Sequence, residues 1–85
     1  MQIDYSKNFL KQYSKLPKKL QSQTDKKLIL WQKNPNNPQL RDHALDGKYQ
    51  GYRNINITGD VRALYTKSGN TIVVFGFIGS HSQLY

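Results

Sequence analysis

The sequence contains no cysteine and no glutamate, and each absence narrows the possible functions. Without cysteine the chain has no disulfide framework, no thiol nucleophile and no cysteine-held zinc site. Without glutamate its acidic side chains are five aspartates, which stand against thirteen lysines and arginines and leave a formal net charge of +8. A chain with this charge is expected to bind anionic partners.

The sequence also lacks a hydrophobic segment long enough to cross a bilayer. Its longest apolar run, residues 71–78, is far shorter than the roughly 20 residues of a transmembrane helix, and residues 1–4 lack the basic and apolar regions of a signal peptide. We therefore predict a cytoplasmic protein with no membrane partner. Because half of 85 residues could not bury a second core, we expect one domain over residues 1–85.

The first half of the chain predicts a short strand followed by two helices. Apolar and polar residues alternate over positions 1–5, and Ser6 is a suitable N-cap for a helix. Pro17 fits the first position of a second helix better than the interior of the first. The second helix should end near Asn34, because Pro35 follows.

The second half has the two-residue periodicity of strands. Residues 52–57, 61–66 and 71–78 predict three strands, with turn-forming segments at 58–60 and 67–70. The last strand is apolar on both faces, so it should lie centrally in the sheet, and its Gly76 should mark a bend. The order β-α-α-β-β-β predicts an α+β fold, with a helical hairpin packed on a mostly antiparallel four-stranded sheet.

Reactive side chains lie near the ends of the predicted strands. His43 lies in a polar segment before the first of the three strands, Asp60 in a turn before Arg62, and His81 after the last strand. If the strands pair as successive hairpins, Asp60 and His81 share one edge of the sheet and should meet. Without further support, a histidine in a polar loop is usually only solvated, and an aspartate after glycine can simply cap its own turn.

Three segments of the sequence resemble those of the RelE/ParE toxin superfamily, most closely its YafQ-like branch. They are DHALDGKYQGYR at 42–53, GDVRALY at 59–65 and GSHSQLY at 79–85. The resemblance spans the chain and implies a toxin of a type II toxin–antitoxin system, neutralised by a cognate antitoxin. It also implies a ribosome-dependent endoribonuclease that cleaves mRNA without a metal, so that no cofactor is expected.

The resemblance implies roles for individual residues. His43 corresponds to the first functional histidine of the YafQ-like pattern, Asp60 to its acidic residue and His81 to its carboxyl-terminal histidine. Arg62 corresponds to an arginine that faces the scissile phosphate in RelE-like relatives. Tyr85 falls where the family keeps a functional aromatic residue.

One more match and two departures complete the resemblance. Arg53 matches a basic strand residue and is expected to contact RNA. The YafQ-like pattern has a histidine where this chain has Asn56 and a tryptophan where it has Val61. One proton carrier and one stacking surface are therefore absent, which leaves the general base open.

The chemistry of the residues favours the same reaction. RNA can be cut without a metal when its own 2′-hydroxyl attacks the adjacent phosphate, which needs a base, an acid and a cation for the developing charge. We assign His81 as the acid, His43 or Asp60 as the base and Arg62 as the phosphate clamp.

Lysines on the predicted helices are expected to attract the phosphates of the ribosome and mRNA. A solvated helix face is often rich in lysine, so the charge does not decide this by itself. The lysines in question are Lys7, Lys11, Lys15, Lys18, Lys19, Lys26 and Lys27.

Two alternative functions remain open at this point. A ParE-like toxin shares the fold and basic charge but binds a topoisomerase and cuts nothing; the presence of His43 and His81 counts against it. A catalytically degenerate nucleic-acid-binding module would account for the asparagine at position 56.

Overall fold

The computed structural model describes residues 2–69 and 71–85; Met1 and Asn70, which were predicted in the first strand and the last turn, lie outside these ranges. The strands are β1 (Gln2–Tyr5), β2 (His43–Ala44), β3 (Arg53–Asn56), β4 (Val61–Ser68) and β5 (Ile72–Ser80). The helices are α1 (Lys7–Ser14), α2 (Lys18–Lys33) and α3 (His81–Leu84), with 3₁₀ turns at Pro38–Leu40 and Gly47–Tyr49.

The strands form one sheet in the order β1-β5-β4-β3-β2. β1 runs parallel to β5 and the other neighbours are antiparallel, which confirms the α+β fold and the central position of the last strand. The predicted count of four strands is wrong, because His43 and Ala44 pair with Asn54 and Arg53 as a fifth strand. A strand of two residues is too short to leave a periodic pattern in a sequence.

The helix boundaries follow from local capping. Ser6 Oγ accepts a hydrogen bond from Phe9 N at 3.0 Å, which confirms the predicted N-cap of α1. Pro17 is the N-cap of α2 and not its first residue, and the helix ends at Lys33. α3 was not predicted; it begins at a capping box formed by Ser80 and Gln83.

Gly76 interrupts the pairing of β4 with β5. Leu64 faces Phe77 and Tyr65 faces Phe75, so that Gly76 has no partner and forms a bulge, as the predicted bend required. A Cβ atom at this position would lie 3.1 Å from Tyr52 Cε2, so a larger residue here would require the Tyr52 ring to shift slightly.

The two faces of the sheet carry separate cores. α1 and α2 cover the first face, where Phe9, Trp31 and Phe75 are buried. On the second face Leu64 packs with Tyr49 and Leu84, and Tyr49 Oη donates to Leu84 O at 2.6 Å. α3 is thereby held against the second face, next to the turn that precedes β4, where His81 N–H donates to Asp60 O. Within the described ranges, no helix is long and apolar enough to span a membrane.

Candidate active site

A cleft of about 470 Å³ opens on the second face of the sheet. Strand alternation supplies part of it, because Asn54 and Asn56 of β3 point away from the face on which Ile55 is buried. Among the described residues, the side chains around it include no carboxylate. The cleft is lined by Arg41, His43, Leu45, Asn54, Asn56, Arg62, His81 and Tyr85.

His43 reaches the cleft from β2, paired with Asn54. Its Nδ1 lies 2.7 Å from the carbonyl oxygen of Arg41. Because a carbonyl can only accept a hydrogen bond, Nδ1 carries the proton, and in the neutral ring Nε2 keeps its lone pair. His43 is therefore in the tautomer that lets Nε2 accept a proton.

His81 is the first residue of α3 and is exposed. Its backbone N–H donates to Asp60 O at 2.9 Å, so the expected meeting of these residues is confirmed for their backbones. The Asp60 side chain is exposed and does not line the cleft. The His81 ring instead lies 4.7 Å from the ring of Tyr85, one helical turn later.

Arg62 lies between Asn56 of β3 and Gly79 of β5 and is half-buried. Its Nη1 is buried and has no hydrogen-bond partner within the described part of the chain. A cationic nitrogen that is removed from water without a partner is costly, and an anionic ligand in the cleft would remove that cost.

Tyr85 closes the cleft beside Arg62 and is 50% exposed. Burial of its inner part is the main reason that its pKa is raised, with a contribution from Tyr49, while the nearby Arg62 charge opposes the shift. The ring also contacts Tyr49 edge-on, with centroids 5.4 Å apart. The exposed half can stack on an unpaired base.

Arg53 does not line the cleft, because it faces the helix side of the sheet with its neighbour Tyr65. Its Nε donates to Asp42 Oδ1 at 2.7 Å, and this bond raises the arginine pKa. Asp42 also accepts hydrogen bonds from Trp31 Nε1 and from the Tyr65 hydroxyl. Burial and then the bond to Asp42 raise the pKa of Tyr65 to about 12.

None of the seven helix lysines lines the cleft. Lys27 is half-buried and borders a neighbouring groove, whereas Lys26 and the remaining five are exposed. Their predicted role in phosphate attraction stays a prediction.

The two departures from the YafQ-like pattern lie in different places. Asn56 is in the cleft, where its Oδ1 accepts a hydrogen bond from Asn54 Nδ2 at 3.0 Å. Val61 is buried in the core under the helices, away from the cleft. The missing histidine is therefore replaced by an amide at the same site, which can donate to a ligand but cannot exchange a proton near neutral pH.

Sequence reasoning missed Arg41, Leu45 and Asn54 as cleft residues. For Asn54 a signal existed, since it shares the strand face of Asn56. Arg41 gave none, because its position depends on a left-handed backbone (φ 48°) after the first 3₁₀ turn. Among residues 2–69 and 71–85, no group of three or more acidic or histidine side chains is placed to hold a metal ion.

Comparison with known proteins gives a consistent picture. A family model described as "Bacterial toxin of type II toxin-antitoxin system, YafQ" matches residues 1–85. No curated protein sequence matches the chain significantly.

Solved structures share the fold over nearly the whole chain. YafQ from E. coli strain BL21(DE3) has a TM-score of 0.83 at 23% identity, covering 98% of this chain and 96% of its own. YafQ in the E. coli DinJ-YafQ toxin–antitoxin complex has a TM-score of 0.81 at 23% identity, with coverage of 98% and 94%. A metal-bound toxin from Helicobacter pylori has a TM-score of 0.70 at 25% identity, with coverage of 100% and 99%.

Proposed function

The chain belongs to the YafQ family of bacterial toxins of type II toxin–antitoxin systems, and from this membership we propose that it is a ribosome-dependent endoribonuclease that cleaves mRNA. The observation that carries the proposal is the cleft itself. It combines two imidazoles, His43 and His81, with the unpartnered guanidinium nitrogen of Arg62. These are the groups that metal-free transesterification of RNA requires.

In the proposed reaction His43 is the general base. Its Nε2 removes the proton from a ribose 2′-hydroxyl, and the 2′-oxygen attacks the adjacent phosphorus. The hydrogen bond from Nδ1 to Arg41 O supports this role, because it keeps the basic nitrogen directed away from the backbone. The exposed Asp60 side chain, outside the cleft, is the weaker candidate for the base.

His81 is the general acid and Arg62 stabilises the charge. As the bond from phosphorus to the 5′-oxygen breaks, His81 gives that oxygen a proton, which leaves a 2′,3′-cyclic phosphate and a 5′-hydroxyl. Arg62 Nη1 donates to a nonbridging oxygen whose negative charge increases in the transition state. Tyr85 stacks on a base next to the scissile bond and supports the His81 ring, which it contacts.

The partners follow from charge as well as family. DinJ and YafQ of E. coli form a toxin–antitoxin complex, and we infer a cognate antitoxin for this chain. A toxin of net charge +8 suits an acidic antitoxin segment that folds as it binds. Because the proposed substrate is mRNA on the ribosome, we infer that the protein acts in the cytoplasm.

Primer extension on a defined transcript with purified ribosomes tests the proposal. We expect discrete cuts that need both the ribosome and the protein, and that disappear at a position carrying a 2′-deoxy sugar. The His43→Ala/His81→Ala double variant is the control and should leave the transcript intact. Cutting that persisted at the 2′-deoxy position would contradict the mechanism, and inhibition of a topoisomerase without any cutting would favour the ParE-like alternative.

A further inference from the structure

A groove of about 630 Å³, here called the flanking groove, adjoins the cleft. The two depressions share Arg41, Asn56 and Arg62 as a common wall. The flanking groove is completed by Lys27 of α2 and by residues 38–39 and 57–59. An RNA strand bound in the cleft can therefore continue directly into this groove.

The described residues that line the flanking groove carry three positive charges and no carboxylate. Within the described ranges, the ion pair present is the one between Arg53 and Asp42. The three groove cations, Lys27, Arg41 and Arg62, therefore form no ion pair with an acidic side chain there. Three cations around one depression, with no anion to neutralise them, favour an anionic ligand.

A neutral donor adds to the cationic lining. Thr58 Oγ1 accepts hydrogen bonds from the backbone N–H groups of Asp60 and Val61, at 3.3 and 3.0 Å. Because the hydroxyl oxygen is occupied as an acceptor, its own proton is free to be donated to a ligand in the groove.

Another depression, of about 530 Å³, also borders Arg41 but fits an anion less well. Its lining includes the Asp42 carboxylate, which already binds Arg53. The positive charge there is thus partly neutralised, and an approaching phosphate would meet a like charge. The flanking groove is the better continuation of the cleft.

We propose that the flanking groove binds an mRNA backbone phosphate next to the scissile one, and that Lys27 supplies the positive charge that this subsite does not share with the cleft. The inference rests on the proposed function, because it takes the cleft as the place of the scissile phosphate. Lys27 is half-buried at the groove, while the adjacent Lys26 is exposed and lines none of the depressions described. Lys26 is therefore a matched control of equal charge.

The test combines a changed phosphate with a changed lysine. Each transcript carries one neutral methylphosphonate in place of a single phosphate on either side of the cut. The kcat/KM for its cleavage on ribosomes is measured for wild type, Lys27→Gln and Lys26→Gln. At one flanking phosphate we expect wild type and Lys26→Gln to lose roughly tenfold, the worth of a hydrogen bond to a charged group. Lys27→Gln should lose clearly less than wild type when that phosphate is neutralised, because one of the contacts to the phosphate is already gone.

A binding measurement separates this inference from the proposed function. The same oligonucleotides in uncleavable 2′-O-methyl form are titrated into the three proteins and followed by fluorescence anisotropy, which needs no catalysis. The same pattern of losses in affinity supports the subsite even if the chain cuts nothing. Equal sensitivity of Lys27→Gln and wild type at every flanking phosphate overturns it, as does a wild type that no flanking methylphosphonate affects.

Discussion

Asp42 accepts a hydrogen bond from Arg53 Nε at 2.7 Å and so ties the residue before His43 to strand β3. The carboxylate, whose side chain is 11% exposed, also binds Trp31 of α2 and Tyr65 of β4. One side chain thus joins a helix and two strands at the point where the chain enters the cleft.

Asp42→Asn should destabilise the protein by about 2 kcal/mol, because hydrogen bonds to a charged group are the strong ones and Arg53 loses its counterion. Urea unfolding at neutral pH measures the effect. Asp46→Asn is the matched control, since Asp46 is exposed and makes no capping bond. Equal stability of the two variants would show that the Asp42 contacts contribute nothing net.

Tyr65 makes stability depend on alkaline pH. Its pKa is raised to about 12, so the folded state holds the phenolic proton more tightly than the unfolded state, where the pKa is about 10. The stabilisation of the fold that comes from this raised pKa is fully present below pH 10 and is lost as the pH rises towards 12. Over that window the slope of unfolding free energy against pH should be less steep in Tyr65→Phe, by up to about 1.4 kcal/mol per pH unit.

The raised pKa values of Tyr5, Tyr13 and Tyr85 act in the same direction and remain in the variant. The difference between the two proteins therefore isolates Tyr65. Identical slopes for Tyr65→Phe and wild type between pH 10 and 12 would contradict the assignment.

The sequence predicted the fold better than it predicted the cleft. Periodicity and turn residues predicted α1, α2 and the strands β1, β3, β4 and β5, and Gly76 predicted the irregularity in β5, because these features depend on neighbouring residues. The Asp42–Arg53 pair could not be found this way, since it depends on the register of β2 against β3. Both Arg53 and Arg62 were expected to contact RNA from a strand. They differ in the face of the sheet from which each side chain projects, which the sequence did not show.

Arg62 and Arg53 should therefore respond differently to alanine. Arg62→Ala should lower cleavage by about 10²-fold or more, the usual effect of removing a preorganised donor to developing charge. The midpoint temperature of thermal unfolding of Arg62→Ala should be unchanged or raised, because the Nη1 that it loses was buried without a hydrogen-bond partner. Arg53→Ala should instead lower the midpoint temperature of unfolding. At a temperature where it is folded, its rate of mRNA cleavage should stay within a few-fold of wild type. Reversal of this pattern would exchange the two roles.

Ribosome affinity should depend on salt through the helix lysines. Lys7→Gln/Lys11→Gln removes two exposed positive charges from α1, and the slope of log affinity against log salt should fall by up to about 0.9 for each lysine that neutralises a phosphate. Lys33→Gln/Lys67→Gln removes the same charge outside the predicted set. If both pairs reduce the slope equally, net charge and not these lysines sets the affinity.

His81→Gln tests the general acid most directly. Glutamine keeps a hydrogen-bonding group at the start of α3, and the Ser80–Gln83 capping box that holds the helix does not involve the side chain at 81. Cleavage should fall by roughly 10² to 10⁴ while ribosome and antitoxin binding persist. The rate of wild type should fall at alkaline pH as the acid loses its proton, and His81→Gln should lack that fall. His43→Gln should retain it and lose the acidic limb, because a base fails when it is protonated. If the two variants lose the same limb, His43 and His81 do not divide the proton transfers as base and acid.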